Sequence, residues 1–448
     1  MTTVGLSSLA QRLTGIDEVE CVTPDLNGVP RGKVMTSEGF LDGRRLQLAR
    51  GVLLQCIMGG YPPARFYGSD DGDLALIPDP AQIHRLPWSH PPRAFAICDA
   101  NELGTTSSSN LSTRGQLKTV LARYAVLGLA PVVATELEFF VFSPNTDPTQ
   151  AFLPPLGLDG RREDGQSAFS VSSNNGLRPF FNEVYECMAA LGLPRDTFMH
   201  EMGVSQFEIN LLHGDPLLLA DQTFLFKHLL KEVAIKHGLS VVCMAKPLAH
   251  TPGSSMHIHQ SVVEVDSGRN VFSDKAGEET ATFRHFIAGQ QACMADFTAL
   301  FAPNVNSYQR LCHPYASPNN ACWSHDNRAA GLRIPASLPV ARRVENRLPG
   351  ADANPYLAIA ASLAAGLHGI ENKLEPSAPI QGEFEVPDNL SLPCTLHAAL
   401  ERLKRSQLAK ELFGAEFIEG YIASKTLELT SFYDEITPWE RRVLAVQA

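Results

Sequence analysis

Val132-Val133-Ala134-Thr135-Glu136-Leu137-Glu138-Phe139-Phe140-Val141-Phe142 is the stretch on which the fold turns. It is β-branched and aromatic, with neither Gly nor Pro, and so reads as a buried strand. Side chains alternate across a strand, which puts Glu136 and Glu138 on one face. Two carboxylates about 6–7 Å apart in a buried strand repel each other unless cations lie between them. A metal-binding sheet is therefore expected, and other parts of the chain supply strands to match.

In Ser205-Gln206-Phe207-Glu208-Ile209-Asn210-Leu211 the polar side chains Gln206, Glu208 and Asn210 fall on one face and Phe207, Ile209 and Leu211 on the other. That is a strand with a wet side and a dry side. Glu201 precedes Glu208 by an odd number of residues, so a turn or bulge around Gly203 is needed to bring the two together. Met256-His257-Ile258-His259-Gln260-Ser261 aligns His257, His259 and Ser261, and Arg342-Arg343-Val344-Glu345-Asn346-Arg347 aligns Arg343, Glu345 and Arg347. Taken singly, these patterns also describe a half-exposed edge strand, paired core histidines and a surface ion-pair ladder. Together they place so many ionisable groups on strand faces that burial without ligands would be costly. A cation-dependent, phosphate-handling sheet is the expectation.

The rest of the composition narrows the class. The 448 residues are 44% hydrophobic and 19% charged, ordinary for a globular enzyme of two or three domains. A formal charge of −11 with no Lys/Arg run argues against a nucleic-acid partner. The nine cysteines form no Cys-x-x-Cys pair, which suits a reducing compartment. Met1–Glu20 has no basic start followed by an apolar core, and the Ala-rich stretch Tyr356–Ile370 is too short to span a bilayer. A cytoplasmic protein with no membrane partner is expected. Short strand-like runs with turns at Asp25–Gly28 and Asp70–Asp73 fill residues 17–100, and Gly104–Asn110 reads as a linker. The chain then divides near residue 105 into a small β-rich domain, 1–105, and a large mixed domain, 106–448. Thr113–Leu127 has helical spacing, and 143–168 reads as a Pro-, Gly- and Asp-rich surface excursion.

Ordered motifs along nearly the whole chain resemble the glutamine synthetase family. They are Asp25-Leu-Asn-Gly28…Arg31-Gly-Lys33, Glu136-Leu-Glu138-Phe-Phe, His200-Glu201…Gln206-Phe-Glu208 and Met244-Ala-Lys246-Pro247…Gly253-Ser-Ser-Met-His257-Ile-His259. They continue with Asn306-Ser-Tyr308-Gln-Arg310-Leu, Asn327-Arg328…Leu332-Arg333-Ile-Pro335, Ala341-Arg-Arg343-Val-Glu345-Asn-Arg347 and Asp352-Ala-Asn354-Pro355-Tyr356. The resemblance implies an α+β fold: a small β-grasp N-terminal domain, and a large catalytic domain with a curved antiparallel sheet and surrounding helices. It also implies a homo-oligomer, a hexamer or a dodecamer of stacked rings, with sites completed by a neighbouring subunit.

By the same resemblance, Glu138, Glu201 and Glu208 match the ligands of one divalent metal, and Glu136, His257 and Glu345 those of another. ATP and two or three Mg²⁺ or Mn²⁺ ions are the implied cofactors, as hard oxygen donors would suit. His259, Ser261, Arg328, Arg333 and Arg343 match nucleotide-binding positions. Arg310 matches the residue that grips the α-carboxylate of glutamate, and Arg347 the one that reaches the transferring phosphate and the γ-carboxyl. Asp25 aligns with a position that collects the cationic nitrogen nucleophile for the neighbouring subunit's site. The implied reaction phosphorylates the γ-carboxyl of glutamate and lets a nitrogen nucleophile displace phosphate.

Departures from the family pattern point to the nucleophile. Where ammonium-using members carry a flap glutamate, this chain has Ala316 in His313-Pro314-Tyr315-Ala316-Ser317, and Pro252-Gly253 replaces an Asn-Gly pair. Loss of that carboxylate leaves room for a carbon substituent. The chain is thus similar to the γ-glutamylamine ligases, which join glutamate to putrescine, polyamines or monoamines. An ammonium-using glutamine synthetase is the alternative reading, and a non-catalytic relative a third. Tyr61, Phe66, Tyr67, Trp88, Phe169, Trp323 and His325 are candidates for lining an amine pocket. Glu371–Pro387 has no tyrosine, so regulation by tyrosine modification in that loop is not expected.

Overall fold

The computed structural model describes residues 9–165, 167–312, 317–382 and 384–447. Two sheets organise them. The first contains β1 (Glu18–Pro24), β2 (Pro30–Thr36), β3 (Leu46–Ala49), β4 (Asp73–Arg85) and β5 (Arg93–Glu102), in the order β2-β1-β5-β4-β3. β1 runs parallel to β5 and the other neighbours are antiparallel. The β4–β5 register shifts between Pro78 and Ile83, where Pro78 and Pro80 lack the N–H that a regular ladder needs.

The second sheet is built on the long strand β6 (Leu129–Phe142). Its partners are β7 (Arg195–His200), β8 (Gln206–Leu211), β9 (Ser240–Val242), β10 (Met256–Glu264), β11 (Trp323–His325), β12 (Leu332–Ile334) and β13 (Val344–Asn346). The order is β11-β12-β13-β10-β6-β8-β7, with β9 paired to the far end of β6. All ladders are antiparallel except β11–β12. This is the mixed α/β architecture with an extended, mainly antiparallel sheet that the sequence led us to expect.

Register fixes which face is dry. Leu137 lies opposite Met256 and Ile209, Phe139 opposite Phe207, and Thr135 opposite Ile258. All of these side chains are buried, and burying each large apolar one is worth about 1.5–3 kcal/mol. A slip of one residue would exchange them with the carboxylates, so the register is strongly held. Three helices close over this face, each with one polar tie to it. Thr223 of Pro216–Lys236 bonds Thr135, Gln290 of Ala281–Phe301 donates to Gln260, and Ser362 of Pro355–Asn372 accepts from Asn346. The last two helices meet at Gly289, where a Cβ would sit 2.1 Å from the Ala365 carbonyl oxygen and 2.5 Å from the Gly369 nitrogen.

The Ala-rich stretch is thus a buried core helix. Asn354 caps it, its side chain accepting the Tyr356 and Leu357 N–H groups. Asn354 also donates to the Asp25 carbonyl (2.8 Å), tying the helix start to the β1–β2 turn. Among the described residues no helix is long and apolar enough to cross a membrane.

Candidate active site

The wet face of the second sheet is assembled by pairing. Glu208 on β8 lies opposite Glu138 on β6, and Glu136 opposite His257 on β10. His259 lies opposite Glu345 on β13, and Glu345 opposite Arg333 on β12. Directly opposed residues in an antiparallel ladder share a face. Five strands therefore bring Glu208, Glu138, Glu136, His257, His259, Glu345 and Arg333 to one surface. Glu201 joins them through the β7–β8 hairpin. Met199 pairs with Glu208, so Glu201, two residues on, keeps that face. The turn expected around Gly203 is present: Glu201 N–H donates to Gln206 O (2.8 Å) and Ser205 has φ +57°.

Electrostatics divide this surface in two. On one side, Glu138, Glu201 and Glu208 crowd together. Burial, then the Glu201 charge, pushes the Glu138 carboxyl up to about 7. Burial and the charges of Glu136, Glu138 and Glu201 push Glu208 well above the usual carboxylate range. On the other side the carboxylates are compensated. Burial alone would raise Glu136, but hydrogen bonds to His257 (3.2 Å) and His259 (2.8 Å) hold it below the usual range. Glu345 is fully buried and accepts from Arg333 (2.7 Å) and Arg347 (2.5 Å). Burial would raise its carboxyl too, but the surrounding His257, His259 and Arg347 hold it below the usual range.

Burial, reinforced by Arg347, brings the His257 imidazole down to about 4. A neutral ring is what a metal ligand requires. One ligand atom from each of Glu136, His257 and Glu345 lies within 4.8 Å of the others, a spacing that would hold one ion. His259 accepts from Arg343 Nε at Nδ1 (3.1 Å), so the proton on its Nε2 is donated to Glu136.

The expected arginines surround this centre in different ways. Arg310, in the Val305–Leu311 helix, donates to the carbonyls of Leu348 (2.7 Å) and Arg347 (2.9 Å) and to the Ser255 hydroxyl (2.8 Å). Among the described residues, Arg310, Arg333 and Arg347 each retain a buried Nε without a hydrogen-bond partner, a donor set suited to anionic ligands. Arg328 is exposed, and its charge acts on Glu201. Ser261, His259 and Arg343 line a cavity of about 490 Å³ together with Glu136, Asn210 and Asn270. That volume suits a medium-sized organic ligand.

Asp25 is not brought to this surface within one chain. Its carboxylate, fully buried, accepts from the N–H groups of Asn27 (2.8 Å) and Val29 (2.9 Å) and from Arg31 Nε (2.8 Å).

Two of the seven amine-pocket candidates are buried. Trp88 is buried in the core against His228, and Trp323 is buried with its ring N–H on the Ser377 carbonyl. Phe66 and Tyr67 pack on the same core, Tyr61 meets Gln55, and His325 pairs with Glu279. Aromatic identity alone did not reveal which side of an element each ring covers. Phe169 is exposed, and its N–H donates to the His200 carbonyl (2.9 Å) beside Glu201. Ala316 lies outside the described residues. Pro252 is buried, ahead of a close approach at Gly253 where a Cβ would lie 2.3 Å from the Ala245 carbonyl oxygen and 2.7 Å from Arg310 Cγ.

Four supporting residues escaped assignment from sequence. Gln206 donates to Glu138 (3.3 Å) and to the Gly253 carbonyl (3.0 Å). Ser255 donates its N–H to Glu138 (2.8 Å) while its hydroxyl accepts from Arg310. Asp326 pairs with Arg333 (2.5 Å). Glu163, from the 143–168 excursion, bonds His200 Nε2 (3.0 Å) and accepts the Ser205 N–H (2.8 Å), bracing the hairpin that carries Glu201. Gln206 already stood out by period; Ser255 and Glu163 act across long sequence separations, while Asp326 lies only seven residues from Arg333.

The described geometry is that of an acid-rich antiparallel sheet with arginines around it, and comparison places it in a family. Residues 110–444 match the family model "Glutamine synthetase, catalytic domain". The chain is 33% identical over 443 residues to a glutamate–isopropylamine ligase from a Pseudomonas species, covering 95% of this chain and 94% of that one. It is 34% identical over 440 residues to a γ-glutamylethanolamide synthetase of Streptomyces coelicolor, covering 95% and 92%. The ligand-free structure of GmaS superposes with a TM-score of 0.83 at 30% identity, covering 99% of both chains. The chain belongs to the glutamine synthetase family.

Proposed function

We propose that the protein is an ATP-dependent ligase that joins the γ-carboxyl of glutamate to an organic amine. One observation carries the chemistry: five neighbouring strands present carboxylates, imidazoles and arginines to a single surface. The amine, in place of ammonium, is supported by relatives over 90% of whose length is covered and whose names specify amine ligation.

The donor set fits hard divalent cations. Glu136, His257 and Glu345 would hold one ion, and Glu138, Glu201 and Glu208, whose mutual repulsion calls for a counter-charge, another. When bound, Mg²⁺ or Mn²⁺ neutralises charge on the phosphates as the γ-phosphoryl group moves. The cavity at Ser261, His259 and Arg343 would take ATP, and resemblance adds Arg328 and Arg333 to the nucleotide-binding set. Arg310 would hold the glutamate α-carboxylate and Arg347 the transferring group, each having an Nε without a partner among the described residues. A carboxylate is a poor electrophile, so a γ-glutamyl phosphate intermediate is part of the reading. An amine near pKa 10.4 needs about 4–5 kcal/mol to lose its proton at pH 7. Resemblance, and not the geometry of one chain, assigns collection of that cation to Asp25 of a neighbouring copy in a ring of subunits. The division into domains 1–105 and 106–448 belongs to the same reading, the first carrying Asp25.

The test is phosphate release with ATP, Mg²⁺ and glutamate fixed and the nucleophile varied among ammonium, small monoamines, putrescine, spermidine and spermine. Turnover with one amine class at least about tenfold above ammonium, a discrimination of about 1.4 kcal/mol, is expected. Preference for ammonium would make the enzyme a glutamine synthetase, and silence throughout would favour a non-catalytic role. A second expectation concerns Glu163. Its replacement by alanine should raise the Mg²⁺ concentration for half-maximal turnover about tenfold or more, because the Glu201 hairpin loses its brace. A metal titration that coincides with wild type would remove that role.

A further inference from the structure

All nine cysteines are free thiols, and their environments differ sharply. Cys21, Cys56, Cys98, Cys187, Cys293 and Cys322 are buried, Cys243 and Cys312 are half-buried, and Cys394 is exposed. Cys312 ends the helix that carries Arg310, its N–H donating to the Tyr308 carbonyl (3.0 Å). Cys394 stands just before Thr395, the N-cap of the Leu396–Arg405 helix. These positions, 82 residues apart in sequence, are adjacent in space: Cys312 Sγ lies 3.6 Å from the Cys394 carbonyl oxygen. Asn319 Nδ2 reaches both sulfurs, at 3.1 Å to Cys394 and 3.7 Å to Cys312.

We propose that Cys312 and Cys394 form a reversible redox modification site that closes as an intramolecular disulfide when a low-molecular-weight disulfide such as oxidised glutathione is present. The two sulfurs have distinct parts. Cys394 is accessible, and the amide of Asn319 donates toward its sulfur. Cys312 sits at a helix C-terminus, where the dipole disfavours negative charge. Burial, then the neighbouring Cys394 thiol, pushes the Cys312 thiol up to about 12.

Cys394 thiolate therefore attacks the oxidant RSSR, forming a mixed disulfide and releasing RS⁻. Cys312 then gives its proton to the released RS⁻, attacks the Cys394 sulfur and expels the second RS⁻, which takes up the proton first lost by Cys394. The two protein thiols are oxidised and RSSR is reduced to two RSH. The bond would staple the end of the Arg310 helix to the start of the Leu396–Arg405 helix. The thiol chemistry is independent of the ligase reading, whereas a kinetic effect rests on Arg310 binding glutamate.

Purified full-length protein is treated with oxidised glutathione, its remaining thiols are blocked with N-ethylmaleimide, and its peptides are mapped by mass spectrometry. A Cys312–Cys394 cross-linked peptide is expected. It should vanish with dithiothreitol and be absent from Cys394→Ser and Cys312→Ser, both mild changes. Oxidation should raise the glutamate KM at least about fivefold in wild type and leave Cys394→Ser unaffected. Both cysteines remaining alkylatable, or a glutathione adduct that stays on Cys394 without resolving, overturns the proposal. A cross-link with unchanged KM overturns the tie to Arg310 alone. Failure of the ligase reading would appear instead as inactivity of the reduced protein with every nucleophile.

Discussion

Substituting Arg114 by methionine is expected to destabilise the protein by about 3–5 kcal/mol, among the largest effects available to a single change outside the proposed active site. Arg114 lies in the Thr113–Val126 helix with its side chain 1% exposed. Nε and Nη2 grip Asp221 in a two-pronged pair (3.0 and 2.8 Å), while Nη2 also meets Asp79 (2.6 Å) and Nη1 meets Asp99. Tyr356 donates to the same Asp221 oxygen as Arg114 Nε (2.6 Å). Burial pushes Asp221 up despite Arg114, so that carboxylate already pays for its position.

Methionine fills much of the volume but leaves three carboxylates facing one another, with Lys118, at Asp99, the one cation still paired to them among the described residues. Asp79 and Asp99 belong to the first sheet, whereas Asp221 and Tyr356 belong to helices that close the second. Loss of the guanidinium should therefore loosen the first sheet from the rest. A fall in the urea midpoint, with early proteolytic cleavage within residues 1–105, is the expected observation. Adding Asp221→Asn should return part of the loss, because the two sites share one interaction. A midpoint within about 0.5 kcal/mol of wild type would show the cluster to be solvated and unimportant.

The Arg114 cluster also marks where sequence reading stopped. Period-2 alternation places Glu136 with Glu138, Glu208 with Asn210, and His257 with His259, since a strand's geometry is local. Pairing then carries that local order across the sheet, so one correct strand makes its neighbours legible. Motif resemblance added Arg310, which sits on a helix and has no strand period to betray it. Nothing local connects Arg114 to Asp79, Asp99 and Asp221, because their partnership depends on how two sheets and three helices stack. The same holds for Glu163 and Ser255, which reach the site from loops, and for Cys312 and Cys394. Trp88 and Trp323 illustrate the converse: both are buried, which aromatic identity in a sequence does not reveal.

Replacement of Glu345 by glutamine should lower turnover by at least about 10³-fold, equivalent to about 4 kcal/mol of transition-state stabilisation. Glu345 is the anion on which the compensated half of the strand face converges. It accepts from Arg333 and Arg347, and His257 Nδ1 is 3.6 Å away. In the proposed mechanism it also completes one metal site with Glu136 and His257. Glutamine preserves shape and can still accept at one oxygen, so the strand should persist. Its NH₂ would face one of two guanidinium groups, however, and it brings no charge to hold a cation. Arg333 and Arg347 would then repel the ion that the site must admit.

The variant should remain folded but with a lowered urea midpoint, since Arg333 and Arg347 lose their buried counter-charge. It should also need far more Mn²⁺ or Mg²⁺ for residual activity and lose kcat more than glutamate affinity. Metal binding followed by Mn²⁺ electron paramagnetic resonance separates loss of the ion from loss of turnover. An active variant with unchanged metal dependence would dismiss Glu345 as a ligand. Such a result would leave it as the internal counter-ion of Arg333 and Arg347. An inactive variant with intact metal binding would instead place its effect on those arginines, and so on the group being transferred.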